Sequence, residues 1–248
     1  MPPPLVLAVH GSTVPAATAT LERLCAQVRH LCGVRPVVGH LSHQEPSLPQ
    51  ALDAAGPGAM LVPLLLGDGY HRTVDIPALV GDRDCVLAPG LGGDEEIAHA
   101  LHERLREAER AAGGRADAVV LASAGSTHPG GNDGALAAAR DLRAQLDECR
   151  GPVPVLTAYC AKSPPSVHAA VRRLYGDGCQ RVAVVTHLLA PGRFTRVLPH
   201  TRAWVVTAPL ADHPRLARLV ASRYAEAAPV PAGRRTPAAD EDVGPVRR

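Results

Sequence analysis

The feature that most restricts the fold is an internal repeat. His10-Gly11-Ser12-Thr13 is echoed half a chain later by Ala124-Gly125-Ser126-Thr127, each quartet coming just after an apolar run. A second echo sets the segment from Val62 to His71 against that from Val185 to Phe194, with Gly69 matching Gly192 and His71 matching Phe194. A third sets Ala88-Pro89 against Ala208-Pro209. The spacing drifts slightly between echoes, as short loop insertions would produce. Self-similarity of this kind means two copies of one structural unit, so both copies should read as the same string of elements.

The two copies do read alike. In the first, apolar runs at 5–9, 34–41, 60–66 and 85–88 alternate with helix-compatible stretches near Pro15, Leu48, Ile76 and Glu95. In the second, runs at 118–122, 153–158, 182–189 and 203–207 are each followed by such a stretch. Strands alternating with helices imply parallel βαβ units. The predicted class is α/β, with tandem domains over 1–112 and 115–227, each a small parallel sheet flanked by helices. Beyond about Ala227 the chain is rich in Pro, Arg and Asp without apolar periodicity, and 228–248 is predicted to be a disordered tail.

Composition removes several function classes. Hydrophobic residues are 46 % and charged ones 20 % of 248, an ordinary globular mixture. With 26 basic against 24 acidic residues and 2 % aromatics, the clustered cations and stacking rings of a nucleic-acid binder are missing, so no nucleic-acid partner is expected. Lys162 is the only lysine and follows Ala161, which excludes a P-loop; no nucleotide is expected, and anions fall to arginine or backbone N–H groups. Six cysteines without a C-x-x-C pair argue against a zinc knuckle or a dithiol redox site, and most of them read as small buried hydrophobes. No apolar stretch approaches the roughly 18–20 residues of a membrane span, and no basic region precedes the first one. The expectation is a cytoplasmic protein, monomer or homodimer, with no membrane partner.

In an open parallel sheet the ligand crevice lies beyond the carboxyl ends of the strands. His10 follows the first apolar run directly, and His71 follows the third through the loop Gly67-Asp68-Gly69-Tyr70. The Gly11 and Ser12 N–H groups ahead of a helix near Pro15 suggest an anion pocket. Two neutral imidazoles with open positions suit a borderline divalent metal such as cobalt, iron, nickel or zinc better than magnesium or calcium. Both are lost from the second copy, where Ala124 and Phe194 stand. A Ser12–His10 hydrolase is disfavoured, since adjacent turn residues do not readily make the nucleophile–base hydrogen bond and no G-x-S-x-G elbow is present. His99 and His102, beside Glu95, Glu96 and Glu103, read as a solvated helix face.

Val9-His10-Gly11-Ser12, Glu45-Pro46-Ser47-Leu48-Pro49 and Gly69-Tyr70-His71 with Asp75-Ile76-Pro77 together resemble the sirohydrochlorin chelatases, which are class II, ATP-independent enzymes. Ala124-Gly125-Ser126 and Leu189-Ala190-Pro191-Gly192 are similar to the degenerate repeat of two-domain members, so the resemblance runs over roughly 5–226. It implies two chelatase-like domains with a cleft between them and insertion of Co2+ or Fe2+, with Ni2+ as a further candidate, into sirohydrochlorin for cobalamin or sirohaem. It further implies that His10 and His71 hold the metal and assist loss of the pyrrole protons, with Gly11, Ser12, Glu45, Gly69, Tyr70 and Arg72 toward the tetrapyrrole. Arg193 and Arg196 are further candidates for its carboxylates. Two positions depart from the family pattern: Thr13 stands for the usual Arg, and Ser42 for the usual acidic residue. Glu45, His43 or His40 are the candidate substitutes, though alternation along a strand cannot bring all three into the crevice. Loss of the carboxylate also opens the alternative of a metal- or tetrapyrrole-binding carrier without turnover. Asp75, just before Ile76-Pro77, reads first as a helix N-cap and second as a partner for His71.

Overall fold

A parallel sheet covered on both faces needs strands that are apolar at every position rather than at alternate ones. The chain supplies eight such runs in two groups of four. The computed structural model of the protein describes residues 2–227, so the predicted tail at 228–248 lies outside the described residues. The first sheet holds β1 (Leu5–Val9), β2 (Val37–His40), β3 (Ala59–Pro63) and β4 (Cys85–Leu87) in the order β2-β1-β3-β4. The second holds β5 (Ala118–Ser123), β6 (Val155–Tyr159), β7 (Val182–His187) and β8 (Val205–Val206) in the order β6-β5-β7-β8. Every pairing is parallel, Leu7 lying opposite both Val38 and Val62, and Leu121 opposite both Thr157 and Val185. The shared strand order is the sequence repeat in structural form, and the α/β class of two parallel-sheet units is as predicted. Edge strands are shorter than the apolar runs: β2 begins only after Pro36, which has no N–H for a ladder.

Among the described residues seven α-helices flank the strands: α1 (Pro15–Cys32), α2 (Leu48–Ala55), α3 (Ile76–Val80), α4 (Glu95–Ala112), α5 (Asp133–Arg150), α6 (Val167–Gly176) and, after the last strand, α7 (Pro214–Ala227). Their limits follow local chemistry. Proline at the first position opens α1, and Gly33, at a left-handed φ of 71°, closes it by giving its N–H to the Arg29 carbonyl. A capping box between Ser47 and Gln50 opens α2.

Side chains alternate across each strand, and this divides the core. Leu5, Leu7 and Val9 face the same way as Met60 and Val62; with Ile97, Leu101 and Leu105 of α4, Leu121 of β5 and Leu219 of α7 they form one continuous core running through both halves. Val6, Ala8 and Leu61 face outward onto Leu48 and Leu52 of α2 and Ile76 of α3. The last helix of each half crosses to the other. Helix α4 packs on α5, β7 and β8, whereas α7 packs on α1 and β3. A polar seam follows the exchange: Arg104 and Arg23 meet Asp212, Arg215 meets Glu96 and Glu103, and Arg223 meets Asp94.

No helix among the described residues is long and apolar enough to cross a membrane. The cysteines differ from expectation: five are half-buried and Cys149 is exposed, though burial still pushes the Cys25 and Cys160 thiols up to about 11.

Candidate functional site

His10 is the first residue past β1, and its backbone is held from the side. The Ser42 N–H and hydroxyl both donate to the His10 carbonyl at 3.0 Å. Gly11 sits at φ 95°, and a Cβ there would lie 1.9 Å from the Ser42 carbonyl oxygen, so only glycine lets these two loops touch. The Ser12 N–H donates to the Gln44 side chain at 3.0 Å, and the Ser12 hydroxyl accepts from the Val14 N–H at 3.2 Å. Ser12 therefore offers its hydroxyl to the cleft, while its N–H, expected in an anion pocket, is already engaged.

His71 reaches the same place from β3. After the loop through Gly69 and Tyr70, residues His71–Asp75 form a single π-helical turn, in which the Ile76 N–H donates to the His71 carbonyl, before α3 begins. Wide turns of this kind recur at functional sites. Here the turn brings His71 Nδ1 to 2.5 Å from Asp75 Oδ2. Asp75 precedes α3 but makes no capping hydrogen bond, so its first expected role gives way to the second. With Nδ1–H donating to a carboxylate, Nε2 of His71 is left with its lone pair free.

The two rings meet with centroids 4.6 Å apart and planes inclined at 46°. His43 stands on the other side of His10, edge-on at 5.7 Å. All three histidines are exposed. Partial burial pushes His10 below the ordinary imidazole value, and the neighbouring His71 and His43 rings push the same way against the Asp75 carboxylate. His10 is therefore neutral at pH 7, with a lone pair for a metal ion or a proton. Among the described residues no three His, Cys, Asp or Glu side chains already converge as a metal cage.

The other candidates are distributed around this cluster. The Glu45 carboxylate accepts from the Ser47 N–H at 2.8 Å and closes its own loop. His40 is buried and its Nδ1 bonds to the Pro46 carbonyl, so of the three candidate substitutes only His43 stands at the cluster. Arg72 lies with Nε 2.8 Å from Asp68 and packs against Gly90. Tyr70 is exposed, its ring edge-on to His128 at 6.2 Å.

The second half faces this site. His128 Nε2 lies 3.2 Å from the Thr73 hydroxyl of the π turn, a contact that no pattern in the sequence marks. A Cβ on Gly69 would meet the Ser126 hydroxyl at 3.4 Å, and one on Gly192 the Ser12 hydroxyl at 3.9 Å. The β1 loop of one half is thus opposed to the β7 loop of the other, and the β5 loop to the β3 loop. Arg193 and Arg196 are exposed on the β7 loop. His187 does not take part: it is buried in β7 with Nδ1 3.2 Å from the Ser123 hydroxyl, and burial pushes it down to about 4.

The chain is similar in sequence and in fold to known proteins. The sirohydrochlorin cobaltochelatase of Methanocaldococcus jannaschii is 39 % identical over 83 residues, 31 % of this chain and 57 % of that protein, so the match spans little more than half of its length. The sirohydrochlorin cobaltochelatase of Methanopyrus kandleri is 26 % identical over 136 residues, 42 % of this chain and 95 % of that protein. In fold, the chain is similar to SirB from Bacillus subtilis with Fe3+, with a TM-score of 0.74 and 22 % identity, over 92 % of this chain and 96 % of that one. The CbiX family matches residues 4–108 and again 118–227, once for each half of the repeat. With both halves matched over nearly their whole length, the chain belongs to the CbiX family of sirohydrochlorin chelatases.

Proposed function

We propose that this protein inserts a divalent metal ion, Co2+ or Fe2+ with Ni2+ as a further candidate, into sirohydrochlorin without a nucleotide, in the cytoplasm and on a route to cobalamin or sirohaem. The observation that carries this reading is the His10–His71 pair of the first half, with ring centroids 4.6 Å apart and Asp75 fixing the tautomer of His71. Metal insertion joins M2+ to the macrocycle and releases two pyrrole protons. The protein must therefore hold an aquated ion weakly enough to give it up and accept protons near pH 7. Imidazole meets both needs, since it is a moderate ligand for first-row metals and can take a proton. Two protein donors leave coordination positions open for macrocycle nitrogens.

Each residue has a part. Nε2 of His71 faces the ion while Asp75 stabilises the positive charge that builds on the ring. His10, kept neutral by its surroundings, is the second donor and takes a proton once the ion has moved to the macrocycle. Arg72, Arg193 and Arg196 face the peripheral carboxylates, for which guanidinium gives two-point contacts. Gly11, Ser12, Gly69 and Tyr70 line the cleft, and Glu45 acts through the loop it closes.

The test is anaerobic: purified protein with sirohydrochlorin and each metal, following tetrapyrrole absorbance against the uncatalysed rate. The reading requires acceleration that disappears in both His10→Ala and His71→Ala. Binding of tetrapyrrole without acceleration would instead identify a carrier.

A further inference from the structure

No side chain of the π turn that presents His71 is buried, so core packing does not place it. Between Leu64 and Ile76, which are buried, the chain depends on contacts along its length. From its own half it has the Arg72–Asp68 ion pair and the packing of Arg72 on Gly90. The second half runs its β5 loop alongside. A Cβ on Gly67 would lie 2.7 Å from the Gly131 carbonyl oxygen, and one on Gly134 would strike the Leu66 carbonyl, so backbone rests on backbone at the base of the arm. At the tip the second half touches through His128, edge-on to Tyr70 and with Nε2 3.2 Å from the Thr73 hydroxyl.

The hydrogen bonds at Thr73 carry this contact into the turn. The Gly69 carbonyl accepts from the Arg72 N–H at 3.0 Å, the Thr73 N–H at 3.1 Å and the Thr73 hydroxyl at 3.2 Å. With its proton given to that carbonyl, the Thr73 oxygen is an acceptor, and Nε2–H of His128 is the donor that reaches it. His71 stands midway between Gly69 and Thr73 in the chain, so the groups joined by this run of hydrogen bonds flank the metal histidine on both sides.

The first half supplies a control. The Ser126 hydroxyl accepts from the His128 N–H at 3.1 Å as the Ser12 hydroxyl accepts from the Val14 N–H at 3.2 Å, and proline follows in both copies. The turn therefore belongs to the repeat, and valine serves it as well as histidine does. What distinguishes His128 is a ring that crosses to the other half.

We propose that His128 is a positioning residue for His71: by holding Thr73 from across the cleft, it keeps the π turn where the His71 ring meets that of His10. The proposal rests on the chelatase reading above and deepens it, since it gives the half without metal histidines a part in the site. Groups held in the reacting geometry lower the barrier to transfer, so the effect belongs in kcat rather than in binding of the tetrapyrrole.

The experiment uses the full chain with His128→Ala, His128→Gln, Thr73→Val and the double variant H128A/T73V, and thermal melting confirms folding. Amide hydrogen exchange, read residue by residue, reports the tether without any ligand; kcat and KM for sirohydrochlorin with Co2+ report its use. A hydrogen bond of ordinary net strength corresponds to roughly a two- to tenfold change. His128→Ala is expected to speed exchange of the Arg72 and Thr73 amides by that factor and to lower kcat similarly, with KM for sirohydrochlorin unchanged. Thr73→Val should do at least as much and the double variant no more than Thr73→Val, while His128→Gln, which keeps an N–H donor, should restore both readouts. Unchanged exchange in His128→Ala, effects that add in the double variant, or faster exchange with kcat unchanged would each overturn the proposal. So would a raised KM alone, which would make His128 a contact of the tetrapyrrole. Failure of the chelatase reading looks different: a wild type without turnover, with exchange still faster in His128→Ala, overturns that reading and keeps the tether.

Discussion

The contact between His71 and Asp75 makes a demand that a helix cap would not. Asp75→Asn keeps the size of the side chain but replaces a charge-assisted hydrogen bond with a neutral one, and Asp75→Ala removes it. Partners of this type typically contribute 10–100-fold to metal affinity. His71 and Asp75 have side chains 48 % and 32 % exposed, and solvent screening at that exposure places the effect at the lower end. The expected loss for Asp75→Ala is about tenfold in Co2+ affinity, or about 1.4 kcal/mol, with a smaller loss for Asp75→Asn. Turnover should fall with it, because His71 loses both its fixed tautomer and the charge opposite its ring. Stability in urea should stay within about 0.5 kcal/mol, as for other exposed positions without a structural role. The contrary result is specific. If Asp75 served mainly as a cap, Asp75→Ala would cost about 1 kcal/mol of stability, Asp75→Asn almost none, and neither would change the Co2+ titration. That pattern would refute the assignment of Asp75 to His71.

Three further outcomes follow from the core. His187 is neutral when folded, its value pushed down to about 4, whereas the unfolded chain protonates it near 6.5; the fold should lose stability as pH falls from about 6.5 toward 4, by about 3 kcal/mol in all. His187→Leu, the residue found at the matching position 64, should flatten that part of an acid-unfolding profile, and an unchanged profile would show that His187 is not the group responsible. Glu109 is buried, accepting from Arg150 at 2.6 Å and from the Ala116 N–H at 2.9 Å; Glu109→Ala should cost about 3–5 kcal/mol in urea unfolding by stranding the Arg150 cation, and a loss under 1 kcal/mol would contradict it. Residues 1–112 expressed alone should lack cooperative unfolding by near-ultraviolet circular dichroism and calorimetry, because they leave uncovered the face of β3 and α1 on which α7 packs; a sharp two-state transition from that fragment would contradict the exchange of helices.

The strands and the β1–His10 junction were legible because continuous apolar runs ending at Gly-containing turns have few other readings. The exchange of α4 and α7 was not, for a simple reason: an apolar stripe shows that a helix is buried but carries no mark of which of two equivalent sheets it covers. Asp75 misled because a carboxylate two residues before proline is also how many helices begin. His71 and Asp75 are four residues apart, a spacing that puts side chains on one helix face, but the sequence does not mark that the turn before α3 is helical. His43 was weighed on the assumption that the chain from His40 to Glu45 runs as a strand. In fact β2 ends at His40, and His43 at φ 69° lies on a turn where alternation no longer applies.

The asymmetry of the repeat indicates how the labour is divided. Both halves keep the same close approach of loops, through Gly11 on Ser42 and Gly125 on Ala161. The first half surrounds this contact with imidazoles. The second fills the same place with a closed network, in which Asn132 accepts from the Ser126 N–H and donates to the Ser126 carbonyl and the Ser163 hydroxyl. A group whose donors and acceptors are satisfied internally is a poor ligand but a rigid wall. Exchange of the last helices joins that wall to the first half through one core, so the two halves cannot part without exposing apolar surface on both. Domain opening is thereby opposed by the same burial that holds the fold together. On the proposed function, a tetrapyrrole would then enter by movement of the loops at the strand ends, chiefly the turn bearing His71 and its contact with His128, rather than by separation of the halves.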